Sequence, residues 1–339
     1  MRELWVWLAR TSPSLTIGLT EPTTQSRNST LPQAAESRQL IAFLCAGSRS
    51  ALCALALSLL SASCSTIHQI GESKDTLWKL RGDHNTIYLL GSVHVLSRES
   101  YPLKPALDRA FDDSSRVIFE IDLNRFTTTR LEQEFRRTAF YPAGQSLAKK
   151  VSPETVEVLK EVLPVYGLTL KRVKRLKPWF IAEWLSSRTL EMAGFSEALG
   201  VDAYFFRKAK STGKPVFGLE TIRDQAQIFD RFSDAENERY LAGTLATLPT
   251  YSASIGRLVT AWQNGDVRLL DRILNKDQHA DPVTHKALFS DRNSKWLPQI
   301  EAIAHQNENY LVIVGAGHLV GNDGVVAQLR RYGYTVEQI

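Results

Sequence analysis

Residues 86–96, TIYLLGSVHVL, and residues 310–320, YLVIVGAGHLV, decide how this chain is read. In each, a short apolar run passes through a glycine and two further residues to a histidine. Runs of this length are buried strands when turn residues bound them. A glycine at the exit lets the backbone turn, or lets a ligand approach where a side chain would block it. Residues 89–96 and 313–320 therefore repeat one pattern, apolar-apolar-Gly-x-x-His-apolar-apolar. The echo predicts a pseudo-twofold arrangement in which His94 and His318 converge.

Outward from these stretches, strands and helices alternate. LWKLRG (77–82) precedes the turn cluster Asp83-His84-Asn85, so it pairs with 86–94 as a hairpin. A helix starts at Pro105, RVIFEIDL (116–123) is a buried strand, and KPVFGLE (214–220) is another. Residues 127–212 between these two strands read as helix, with Ser152 as an N-cap and PWFIAEWLSSRTLEMAG closing on glycine. Lys177-Pro178-Trp179 marks a helix start by its proline, and Tyr88, Trp179, Phe180 and Trp184 read as core. Residues 221–275 return to helix, LPQIEAIAHQNEN (297–309) leads by helix into the last apolar strand, and 324–339 closes as helix, Gly-turn and strand. The predicted fold class is α/β: a central mixed sheet with flanking helices, and a helical insertion over about 127–212 in a domain spanning 77–339.

The amino end reads differently. Residues 1–40 lack periodicity and are taken as a disordered or misassigned extension. Residues 41–64 have the layout of a secretory leader, with Arg49, an apolar run over 51–60, then small residues. That run is shorter than the roughly 20 residues a bilayer needs. Ser61-Ala62-Ser63 before Cys64 looks like a degenerate lipoprotein box, which makes Cys64 the candidate lipidation site. The expectation is an exported protein, periplasmic or lipid-anchored to the membrane.

Composition narrows the chemistry. All three cysteines, Cys45, Cys53 and Cys64, precede the α/β body, so any metal there is held by nitrogen and oxygen. The net charge is +5 without a concentrated basic face, so no nucleic-acid partner is expected. The basic run at 171–177 reads as a solvated helix face.

Ligands gather outside the carboxyl ends of strands in an α/β sheet. His94, Glu120, Glu220 and His318 each stand at the end of an apolar run. Glu120 is the sharpest case, because Val117, Ile118, Phe119, Ile121 and Leu123 surround it and a lone carboxylate there needs a compensating cation. Two imidazoles and two carboxylates suit a divalent transition metal, Zn, Mn or Fe. A water activated on such a metal is a nucleophile near neutral pH, with Glu220 as its general base. The bland reading of a buried glutamate is pairing with an arginine, and Arg292 is available. His68, His84, His279, His285 and His305 lack strand-end context and read as surface or loop.

At these same residues the sequence resembles the TraB/GumN family, related to the Tiki and PrgY proteins. The resemblance is carried by WKLRGDHNTIYLLGSVHVL, RVIFEIDL, LKPWFIAEWL, GVDAYFFRKAKSTGKPVFGLET, SDRNSKWLPQI and YLVIVGAGHLVGNDGVVAQLRRYGYTV. It implies a fold similar to erythromycin-esterase-like and ChaN-like proteins, and a metal-dependent peptidase activity acting on a peptide or protein. By motif, His94, Glu120 and His318 are the implied metal ligands, and Glu220 and Arg292 the catalytic pair. Asn293, beside Arg292, and Ser92, where the family often has Thr, are the implied substrate contacts. The alternatives are a non-catalytic haem-, iron- or peptide-binding protein using the same pocket, and a buried ion-pair network built on Arg292.

Overall fold

A computed structural model of the protein describes residues 74–125, 137–275 and 281–339. The extension, the leader, Cys64 and residues 127–136 of the expected helical insertion lie outside the described residues. No described helix is long and apolar enough to cross a membrane.

Six strands form one mixed sheet: β1 (Leu77–Arg81), β2 (Thr86–Ser92), β3 (Arg116–Ile121), β4 (Val216–Glu220), β5 (Tyr310–Gly315) and β6 (Val336–Gln338). Their order across the sheet is β4-β3-β5-β2-β1-β6. The hairpin expected around Asp83-His84-Asn85 is present, with Leu77 opposite Leu90 and Arg81 opposite Thr86. Strands β2, β5, β3 and β4 are mutually parallel, so their carboxyl ends share one edge. That edge collects the ionisable side chains.

The described helices include α1 (Pro105–Asp113), α2 (Pro153–Val162), α3 (Pro178–Met192), α4 (Val201–Thr212), α5 (Ile222–Ala226), α6 (Asp234–Gln263), α7 (Val267–Leu274), α8 (Asp291–Ala304), α9 (Ala316–Leu319) and α10 (Val325–Arg331), of which α4, α5, α8 and α9 supply side chains to the site. Ser152 caps α2 by accepting from the Thr155 amide, as its type predicts. Pro178 opens α3, and Gly194 follows that helix at φ 88°, a conformation glycine adopts without strain.

The core has two parts. One wraps the sheet and includes Leu89, Leu90, Val117, Phe119, Leu311, Ile313 and Trp296, together with Val201, Phe205 and Ala209 of α4. The other joins α3 to α6, with Trp179, Phe180 and Leu185 against Leu241 and Leu245. In the basic run, Val173 and Leu176 are buried while Lys171, Arg172, Lys174 and Arg175 face solvent.

Two expectations are corrected. The helix expected from Leu297 starts at Asp291 and runs through Pro298. A proline suggests a helix start because it lacks an amide proton and restricts the residue before it, but buried Asn293, Trp296, Leu297 and Ile300 outweigh that preference. The last apolar strand ends at Gly315, not at His318, which sits in the short helical turn α9.

Candidate functional site

The parallel register sets Gly91 opposite Val314 and Ser92 opposite Gly315, so the two Gly-x-x-His segments leave the sheet side by side. His94 lies two residues beyond β2. Its ring is 61% exposed, whereas His318 is 3% exposed. Glu120 comes from β3 and Glu220 from the end of β4, where Ile121 and Glu220 are register partners. Arg292 reaches in from the first turn of α8.

Glu120 is buried, and both of its carboxylate oxygens accept hydrogen bonds. Its Oε1 accepts from the Gly315 amide at 2.8 Å, and its Oε2 accepts from Arg292 Nη2 at 2.6 Å and Gln225 Nε2 at 3.2 Å. Burial acts to raise its pKa, but Arg292, then His318 and His94, outweigh burial and hold the carboxyl well below the ordinary range. Glu220 accepts from the same guanidinium, Nη2 at 2.7 Å and Nε at 3.1 Å to Oε1, with Oε2 3.3 Å from Nε. Burial prevails there, and the pKa of Glu220 is raised despite Arg292. Arg292 thus bridges two buried carboxylates through its planar fork, which a lysine could not do.

The histidines are held from behind by different groups. His94 Nδ1 lies 2.8 Å from Asp202 Oδ2, and Asp202 Oδ1 accepts from the Ser92 hydroxyl at 3.1 Å. Asp202 raises the pKa of His94, against the opposing effect of burial, and the open side of the ring leaves this pair partly screened by water. His318 Nδ1 lies 2.7 Å from Asn293 Oδ1, an acceptor, so the Nδ1 proton points at Asn293. Its Nε2 therefore carries the lone pair, and Arg292 Nη1 donates to it at 2.9 Å. Burial lowers the His318 pKa to about 3 and keeps the ring neutral. Trp296 and Phe289 pack on that ring at centroid distances of 4.4 and 5.0 Å.

Gly315 is the point of convergence. A Cβ there would lie 3.3 Å from both Glu120 Oε1 and His94 Nε2, and 3.6 Å from His318 Cδ2. Two imidazoles and a carboxylate around that glycine suit a transition-metal cation in kind. Glu120 Oε1 is 4.0 Å from His94 Nε2 and 3.8 Å from His318 Nε2. Nitrogen and oxygen ligands bound at about 2.0–2.2 Å would close these gaps by roughly half an ångström. In the conformation shown, no three His, Cys, Asp or Glu side chains among the described residues form a coordination sphere, and Arg292 supplies the cation.

The residues read from sequence thus meet at one sheet edge, with different surroundings. Ser92 is buried and turned to Asp202; Asn293 is buried and divided between His318 and the Asp323 carbonyl, to which its Nδ2 donates at 3.0 Å. Sequence reading missed three residues. Asp202 and Gln225 touch His94 and Glu120, and His285, expected as a surface or loop residue, ends a short helix half-buried against Phe289. A signal for Asp202 existed in Gly200-Val201-Asp202. A Cβ on Gly200 would lie 2.1 Å from the His94 carbonyl oxygen, so only glycine lets α4 start that close to His94.

The model of the TraB/PrgY/gumN family matches residues 76–338. The chain belongs to that family. It is 25% identical over 274 residues to YbaP, an uncharacterised protein of Escherichia coli, covering 75% of this chain and 97% of YbaP. It is also 25% identical over 318 residues to the metalloprotease TIKI1 of Danio rerio, covering 77% of this chain and 62% of TIKI1. A Treponema pallidum protein is 19% identical over 278 residues. No solved structure matches the chain. TIKI2 of Danio rerio, 22% identical over 302 residues, is likewise named a metalloprotease.

Proposed function

We propose that this chain is an exported metal-dependent hydrolase whose substrates are peptides or proteins. The observation that carries the reading is the meeting of His94, Glu120 and His318 around Gly315, each imidazole with its Nδ1 side already engaged. His94, Glu120 and His318 would hold the metal, a divalent Zn, Mn or Fe ion. Once bound, it would supply Lewis-acid activation of water and of the scissile carbonyl.

Peptide hydrolysis joins a water oxygen to the carbonyl carbon, breaks the C–N bond and moves one proton from water to the departing nitrogen. Glu220 is assigned that proton at Oε2, which Arg292 holds at 3.3 Å against 2.7 Å for Oε1. Its raised pKa suits an acceptor that must return the proton. Arg292 keeps Glu120 ionised and orients Glu220. Trp296 and Phe289 shield the His318 side from water. Asn293 and Ser92, implied as substrate contacts, act here through His318 and Asp202.

Export through residues 41–64, with or without lipid on Cys64, belongs to the same proposal, as does kinship of the fold to erythromycin-esterase-like and ChaN-like proteins. One observation favours a second reading: the Arg292–His318 hydrogen bond occupies the lone pair a metal would need. On that reading the cluster is an ion-pair network built on Arg292, or a pocket that binds peptide without turnover.

Elemental analysis separates these readings. Purified chain should carry close to one Zn, Mn or Fe, lost in His94→Ala/His318→Ala. Glu220→Gln should keep the metal and lose cleavage of a peptide library. Metal-free wild type, indifferent to added Zn, Mn or Fe, would sink the hydrolase reading.

A further inference from the structure

We infer that Asp202 is the positioning residue for His94, and that the site holds two differently backed imidazoles, one on a carboxylate and one on an amide. His94 presents its Nδ1 edge to Asp202 Oδ2 at 2.8 Å, which leaves Nε2 as the atom facing Glu120 and Gly315. A carboxylate behind an imidazole sets ring orientation and makes the opposite nitrogen a stronger donor to a cation.

Three independent features aim Asp202. The Ser92 hydroxyl donates to Oδ1 and leaves Oδ2 for the ring. The Val201 amide donates to the Val93 carbonyl at 3.0 Å, joining the start of α4 to the chain just before His94. Gly200 permits that approach, because a side chain there would collide with the His94 backbone.

The asymmetry has a physical reason. His318 lies 3.8 Å from Glu120, whose carboxylate already shares one guanidinium with Glu220, so a further carboxylate behind the ring would be an uncompensated buried charge. Asn293 gives the same acceptor geometry without charge. His94 opens to solvent, where an anion is tolerated.

The test uses the full chain. Asp202→Asn keeps an acceptor oxygen, whereas Asp202→Ser suits the start of a helix but is too short to reach the ring. In metal-free protein, the downfield imidazole N–H proton of His94 Nδ1 should be visible by NMR in wild type and Asp202→Asn, and lost in Asp202→Ser. Zinc affinity by competition with a chelating dye should fall about 10–100-fold in Asp202→Ser, and less in Asp202→Asn. A purely structural role would instead make affinity follow melting temperature. Wild-type zinc affinity in Asp202→Ser, or a retained N–H signal, would overturn the inference. The affinity arm rests on the metal-hydrolase reading; the N–H arm does not. A wild type that shows the proton but binds no metal would defeat that reading and leave the positioning role standing.

Discussion

Replacing Arg292 with methionine removes the one cation that Glu120 and Glu220 share. Both carboxylates are nearly enclosed, at 10% and 8% side-chain exposure, and Arg292 is at 11%. Methionine keeps an apolar stem but lacks the guanidinium that lies over Trp296, 4.7 Å from the ring centroid, and donates nothing. Breaking a buried ion pair by removing one partner costs about 3–5 kcal/mol, because the surviving charge is left uncompensated. For a domain of this size that is a fall in melting temperature of roughly 6–20 °C. The pH dependence has a definite sign. In wild type the lowered pKa of Glu120 contributes stability above the unfolded carboxyl pKa, lost as pH falls through the folded value. Without Arg292, burial raises both folded carboxyl pKa values above their unfolded ones. Stability is then retained at low pH and lost as pH rises through the folded values. The Arg292→Met deficit should therefore be larger at pH 8 than at pH 5, read from melting curves with chelator present. Arg292→Lys should fall between, since an ammonium cannot span both carboxylates with a fork. A deficit under about 1 kcal/mol, or one equal at both pH values, would refute the claim that Arg292 holds two buried charges.

The remaining predictions concern separate parts of the argument. Gly200→Ala must push α4 away from the His94 carbonyl, from a Cβ contact of 2.1 Å, so denaturant titration should show a loss of about 1–3 kcal/mol. Its zinc affinity should fall with that of the Asp202 variants. His318→Ala opens a void beside Trp296 and Phe289, takes the ring donor from Asn293 Oδ1 and removes one of the two acceptors of Arg292 Nη1, so about 2–4 kcal/mol should be lost. His94→Ala, in a more open position, should cost under about 1 kcal/mol by the same measurement. Equal costs would contradict the assigned burial. Ser152→Ala should lower stability by about 1 kcal/mol through loss of the cap on the Thr155 amide, with no change in metal content.

How far the sequence reaches can be judged from particular residues. Strands β3, β4 and β5 were legible because short, mostly apolar runs of five or six residues have few ways to be buried, and turn residues bound them. The hairpin at Asp83-His84-Asn85 and the cap at Ser152 were legible because both are local contacts. The start of α8 was not, because Pro298 is a strong local signal overruled by the burial of Trp296 and Leu297.

The site divides along the same line. His94, Glu120, Glu220 and His318 stood out by sequence alone because a polar or ionisable side chain ending an apolar run is costly unless something compensates it. What compensates it was decided only by tertiary structure. Asp202 reaches His94 across 108 positions, and Arg292 reaches Glu120 across 172. Whether Arg292 served one carboxylate, both or neither depended on how far α8 lies from the ends of β3 and β4. Strand and helix periodicity governs which face of an element a residue occupies, and the packing of one element on another sets the distances between faces, on which hydrogen bonds and ion pairs depend.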